Sequence, residues 1–148
     1  MKTVAFCMLV TVLACSKTPP GSASHDGRAS ASAQPDVVSS VQVGVGRGVV
    51  DFVLHVTNTS ARPVTLEFPT SQRYDFIVQD GSAEVWRWSG GQMFSQLVSQ
   101  ETLKAGETRD FSAKWDSETR SGRFSVLARL TASNRSIEQR ADFEIPKR

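Results

Sequence analysis

Residues 50–57 read Val-Asp-Phe-Val-Leu-His-Val-Thr, and Asn58-Thr59-Ser60 follows as a turn. Val50, Phe52, Leu54 and Val56 alternate with Asp51, Val53, His55 and Thr57. A strand points successive side chains to opposite faces, so this period of two buries one face and leaves the other wet. The same texture repeats outward. Val41, Val43 and Val45 precede the stretch; Val64, Leu66 and Phe68 follow it. Tyr74, Phe76 and Val78 alternate with Arg73, Asp75, Ile77 and Gln79, and Asp80-Gly81 then signals a hairpin. Residues 84–89 form another strand, ended by Gly90-Gly91. Alternation returns at Phe111, Ala113 and Trp115, at Phe124, Val126, Ala128 and Leu130, and at 137–145.

About eight strands, within a range of about seven to nine, with turn residues between them predict an all-β chain. The expected fold is an antiparallel β-sandwich over residues 37–148. The expected core holds Val43, Phe52, Leu54, Val56, Leu66, Phe68, Phe76, Val78, Trp86, Phe111, Trp115, Phe124, Val126, Leu130 and Phe143. Residues 89–110 contain no clear strand, an unusually long connection of the kind that carries function. A short helical turn within 92–100 is the most regular structure expected there.

The N-terminus has a different character. Met1-Lys2 is followed by an almost wholly apolar run to Ala14, the pattern of a secretory signal and too short for a membrane span. Val12-Leu13-Ala14-Cys15 resembles a lipobox, in which a small residue precedes the cut and a cysteine thiol takes the lipid. The reading is a signal peptide over 1–14, with Cys15 carrying palmitate-type acyl chains as the first mature residue. Several such chains anchor stably where one is marginal. Ser16 lacks the acidic character of an inner-membrane retention signal, so the outer membrane is favoured in a cell that has two. Residues 16–36 contain no Val, Ile, Leu, Phe, Tyr or Trp and read as a disordered tether with a reach of about 25 Å.

Composition excludes several classes of function. The net charge of +2 is spread along the chain, which gives no basic footprint for nucleic acid. Cys7 lies in the signal and Cys15 is lipidated, so the folded part has no thiol for a disulfide, a nucleophile or a metal. It has one histidine, His55, and Asp51 on the same face is about 13 Å away along an extended strand. The usual metal sets and a G-x-S-x-G elbow are missing. The expectation is a protein without cofactor or metal that is not an enzyme; a hydrolase built on His55 is the weakest alternative.

Two segments have readings that stay open. In Val85-Trp86-Arg87-Trp88, the tryptophans form part of the core and its rim, or Arg87 and Trp88 form a partner surface, since Trp and Arg are enriched at hot spots. In residues 90–98, Gln92, Met93, Phe94, Leu97 and Val98 belong to a loop that caps the core or to an exposed recognition segment.

Arg-Tyr-Asp-Phe-Ile-Val at 73–78, Glu-Val-Trp-Arg-Trp-Ser-Gly-Gly-Gln-Met-Phe at 84–94 and Leu-Lys-Ala-Gly-Glu-Thr at 103–108 together resemble the BsuPI family of bacterial intracellular proteinase inhibitors. Residues 58–68 and 122–130 fit the same order. The resemblance implies an immunoglobulin-like sandwich and inhibition of serine proteases. It transfers no reactive residue, because the matching motifs look like fold determinants. An export signal also departs from an intracellular inhibitor.

A protein partner is therefore expected, either a subtilisin-like serine protease or, for a non-inhibitory module of the envelope, another protein. For inhibition the candidate loop is 92–98, with Met93, Phe94 or Leu97 entering an apolar pocket. Arg120 is the lesser candidate, suited to a trypsin-like pocket.

Overall fold

The computed structural model describes residues 35–147. Nine strands run β1 (Val37–Val45), β2 (Val49–Asn58), β3 (Val64–Phe68), β4 (Tyr74–Asp80), β5 (Ala83–Arg87), β6 (Ser99–Leu103), β7 (Thr108–Asp116), β8 (Gly122–Leu130) and β9 (Ile137–Ile145). All pairings are antiparallel. They give a sheet β1-β2-β7, a ribbon β3-β6 and a sheet β5-β4-β8-β9. The chain is an all-β sandwich, as expected.

Strand β2 is the centre. Val50, Phe52, Leu54 and Val56 are all fully buried, and Phe111, Ala113 and Trp115 of β7 lie beside them in register. From the opposing sheet come Phe76, Val78, Phe124, Val126, Ala128 and Leu130. Phe52 joins the layers: its ring lies 5.7 Å from Phe76 and 6.0 Å from Trp86, both stacked, and meets Phe143 edge-on at 5.7 Å. Such aromatic packing adds stability beyond the area it buries.

Val43, Trp86 and Phe143, expected in the core, are only half-buried and pack against it. Val50, Val64, Leu103, Ile137 and Ile145 complete the core instead. The connection between residues 89 and 110 is shorter than expected because β6 lies inside it, paired with β3 from Val64↔Leu103 to Phe68↔Ser99. No helical turn forms within 92–100; a single 3-10 turn sits earlier, at Trp88–Gly91. The expected hairpin is present: Asp80 pairs with Ala83, and Gly81 takes φ of +58°, where a side chain would be strained.

Asn58 closes the corner where β2 and β7 pass into β3 and β6. It is fully buried, and its Nδ2 donates to the carbonyls of Arg62 at 2.8 Å and of Leu103 and Lys104 at 3.0 Å. Its Oδ1 accepts from the Ser60 amide and hydroxyl at 3.0 and 2.8 Å. Of these the Leu103 bond is buried, where a carbonyl left short of a donor is costly; the Arg62 and Lys104 carbonyls also accept from the Ser60 hydroxyl at 2.8 Å and the Glu107 amide at 3.0 Å. At the opposite end of β3, the Arg73 guanidinium lies 4.5 Å from the Phe68 ring centre, donates to the Thr70 carbonyl at 2.9 Å and pairs with Glu101. Arg109 bridges the same Glu101 and Glu107 at 2.6 and 2.8 Å. This network fixes the 69–73 connection beside β6.

Candidate functional site

The site starts from one buried carboxylate. Period-two reading puts Asp75 and Ile77 on the wet face of β4, yet they are 0% and 5% exposed. The reason is the neighbouring strands. Arg87 of β5 donates to Asp75 Oδ2 at 3.0 Å, and Arg129 of β8 reaches the same oxygen at 3.4 Å. A charge this deep persists only when paired and hydrogen-bonded. Ser89 supplies the remaining bonds, from its amide to Oδ1 at 3.1 Å and from its hydroxyl to Oδ2 at 2.9 Å.

Ser89 lies in the 3-10 turn, so Asp75 ties that turn to the sheet. Trp88 begins the turn and stacks on Tyr74 at 4.2 Å, and the Tyr74 hydroxyl donates to the Ser112 carbonyl at 2.8 Å. Burial pushes the Tyr74 phenol above its ordinary pKa, which keeps it a neutral donor. The Tyr-Asp-Phe and Trp-Arg-Trp-Ser blocks thus interlock: Tyr74 with Trp88, Asp75 with Arg87 and Ser89, and Phe76 with Trp86 through Phe52.

From this base springs the segment 92–98. Gln92 is extended, with φ −116° and ψ 154°; its amide donates to the Ser89 carbonyl at 3.1 Å and its side-chain amide to the Trp88 carbonyl at 3.1 Å. Phe94 rests its ring 5.9 Å from Trp88 and is half-buried. Ser95 is clamped twice: its amide donates to Ser71 Oγ, and its carbonyl accepts from the Ser71 amide, both at 2.9 Å. Met93, Leu97 and Val98 are 100%, 67% and 73% exposed. Three large apolar side chains therefore stand in water on a loop whose stem is pinned. A core-capping loop would have turned them inward.

The remaining candidates have other surroundings. Arg87 is held between Asp75 and Glu84, the latter at 2.6 Å. These bonds hold the Glu84 carboxyl below its usual range. Arg120 is exposed in a tight turn closed by its own amide to the Ser117 carbonyl at 2.9 Å. Cys15, and His25 in the polar segment that follows it, lie outside the described residues. His55 has a partner that along-strand spacing could not indicate. Its Nδ1 donates to Asp110 Oδ1 at 2.7 Å across the β2–β7 pair, and Gln42 Oε1 faces Nε2 at 3.5 Å. Both ring nitrogens thus face β-sheet neighbours, and among the described residues neither hydrogen-bonds to a hydroxyl. Among the described residues no group of three His, Cys, Asp or Glu side chains is placed to hold a metal ion.

Sequence reasoning named the loop's apolar residues. It missed Asp75, Ser89, Tyr74 and Ser71, which hold the loop; the only signal for the first three was their place in the two motif blocks.

The family described as BsuPI, intracellular proteinase inhibitor, matches over residues 37–135. No curated protein matches the chain. Solved structures similar to it include the β-glucosidase of Kluyveromyces marxianus, at 12% identity and a TM-score of 0.41 over 75% of this chain and 14% of that one. The GH3 β-glucosidase of Bifidobacterium adolescentis matches at 20% identity and a TM-score of 0.39, covering 74% of this chain and 17% of that one. The sporulation control protein Spo0M of Bacillus subtilis matches at 10% identity and a TM-score of 0.42, covering 76% and 49%. The chain spans only a small part of the β-glucosidases, and likenesses at this level carry no argument about function.

Proposed function

The chain belongs to the BsuPI family of intracellular proteinase inhibitors, and from that footing we propose that it is a lipid-anchored inhibitor of serine proteases that works by inserting the 92–98 loop into the enzyme's cleft. One observation carries the reading: Met93, Leu97 and Val98 are exposed on a segment pinned at Gln92 and Ser95. A segment already held in its binding shape loses little entropy on binding, which favours tight association without new contacts. The apolar tip suits an apolar specificity pocket of subtilisin-like type better than a trypsin-like one. The role is binding rather than catalysis, in keeping with a family of inhibitors.

The location proposed is the cell envelope, which differs from the family's intracellular description. Residues 1–14 support it as a signal, Cys15 as the lipidated residue and residues 16–36 as a tether carrying the sandwich of 37–148 away from the membrane. The favoured membrane is the outer one where two exist. The test is direct. Purified chain at micromolar concentration should inhibit members of a serine-protease panel, and metabolic labelling with palmitate should mark the wild type but not Cys15→Ser. Failure to inhibit any of the panel would reject the inhibitory role. Recovery of a specific non-protease partner from envelope extract would then favour the second reading, a binding module.

A further inference from the structure

We infer that Met93 is the residue that fills the primary specificity pocket of the target protease, with the Met93–Phe94 peptide bond lying at the enzyme's nucleophile. This rests on the reading of 92–98 as the protease-binding loop and selects one position within it.

The selection comes from how each residue is held. Met93 is wholly in water, whereas the residues on both sides of it are fixed. Gln92 is tied by its amide and by its side chain to the 3-10 turn, in an extended conformation suited to a protease cleft. Phe94 leans on Trp88, and Ser95 is clamped to Ser71 by two hydrogen bonds. A substrate-like residue needs this combination: a free side chain in a segment whose backbone is tied on both sides, here at Gln92 and Ser95. Leu97 and Val98 lie beyond the Ser95 clamp, and among the described residues positions 96–98 make no side-chain or turn hydrogen bond. Their exposure therefore comes without the same fixation. Phe94 is excluded on the opposite ground, because its ring is already occupied by Trp88.

Methionine also defines the chemistry of the partner. An unbranched apolar side chain of three rotatable bonds fills a deep apolar pocket and adapts to its walls. Lysine has nearly the same length and shape but carries a charge, so Met93→Lys changes the pocket preferred while disturbing little else. A pocket with an acid at its base accepts the lysine; an apolar pocket rejects it.

The experiment measures inhibition of subtilisin and of trypsin by the purified chain and by Met93→Leu, Met93→Lys, Leu97→Lys and Val38→Lys, with tryptophan fluorescence to verify folding. The wild type and Met93→Leu should inhibit subtilisin. Met93→Lys should lose about 100-fold against subtilisin and acquire inhibition of trypsin. Leu97→Lys should acquire none, and Val38→Lys, on β1, should behave as the wild type. Prolonged incubation with subtilisin should add one water across the Met93–Phe94 amide, giving a carboxylate on Met93 and an amine on Phe94. Trypsin inhibition gained by Leu97→Lys instead, or no gain by a folded Met93→Lys, overturns the assignment while leaving the loop reading intact. If the wild type inhibits neither enzyme and no variant gains inhibition, the loop reading falls and the assignment with it.

Discussion

Replacing Asp75 by alanine should unseat the loop without touching it. The carboxylate is 1% exposed and accepts from Arg87, Arg129 and the amide and hydroxyl of Ser89. Removing one partner of a buried ion pair costs about 3–5 kcal/mol because the other charge stays buried and unpaired. Here the cations are partly solvated, at 31% and 38% exposure, and Arg87 keeps Glu84. The loss expected is therefore about 2–4 kcal/mol, or a melting point lower by roughly 10 °C for a domain of this size. Asp75→Asn keeps the shape and one acceptor oxygen and should cost about half as much. Urea unfolding followed by tryptophan fluorescence measures both. Adding Ser89→Ala to Asp75→Ala should cost less than the two changes separately, by about 1 kcal/mol, since they share hydrogen bonds. Inhibition by Asp75→Ala should weaken more than its folded fraction accounts for, because the 3-10 turn loses its tie to β4. A cost below about 0.5 kcal/mol, with inhibition intact, would refute the idea that this carboxylate holds the base of the loop.

Asn58→Ala should destabilise by about 1–3 kcal/mol, since the buried Leu103 carbonyl loses a donor while the Arg62 and Lys104 carbonyls keep the Ser60 hydroxyl and the Glu107 amide, and should leave the protease specificity of the folded fraction unchanged; urea titration paired with inhibition assays checks both. Glu101 contributes pH dependence: burial raises its carboxyl, but the bonds to Arg73 and Arg109 prevail and hold it below the ordinary 4.5. Its folded pKa is depressed, so its stabilisation is present above about pH 4.5 and fades as pH falls through the folded value; Glu101→Gln should flatten that part of a stability-versus-pH curve. Hydrogen peroxide should transfer one oxygen to the Met93 thioether, releasing water. The resulting polar sulfoxide should weaken inhibition about tenfold or more, read alongside the mass of the peptide that contains residue 93.

The sandwich was legible where one face of a strand is buried along its whole length. Phe52, Leu54 and Val56, or Phe124, Val126 and Leu130, announce themselves because a period of two survives any partner strand. β6 did not. Of its five residues only Leu103 is fully sheltered, so Ser-Gln-Glu-Thr-Leu carries no apolar alternation. β4 misled in the opposite way. Its second face holds Asp75 and Ile77; Asp75 is covered by Arg87 from the next strand and by Arg129 from β8, 54 residues on, and no period along β4 itself encodes that cover. The same distance hid the His55–Asp110 pair, which a cross-strand register creates. The loop's apolar residues were visible as a list, whereas the bonds that hold its stem come from Ser71 and Asp75, which lie well before the loop in the chain.

The most direct test is amide hydrogen exchange of the chain alone and bound to a serine protease that it inhibits. The account predicts new protection centred on residues 92–98, strongest around Met93, with the β4–β5 base already protected in the free chain. Protection confined to another surface, such as β1 or the 117–122 turn, with 92–98 still exchanging freely, would contradict it.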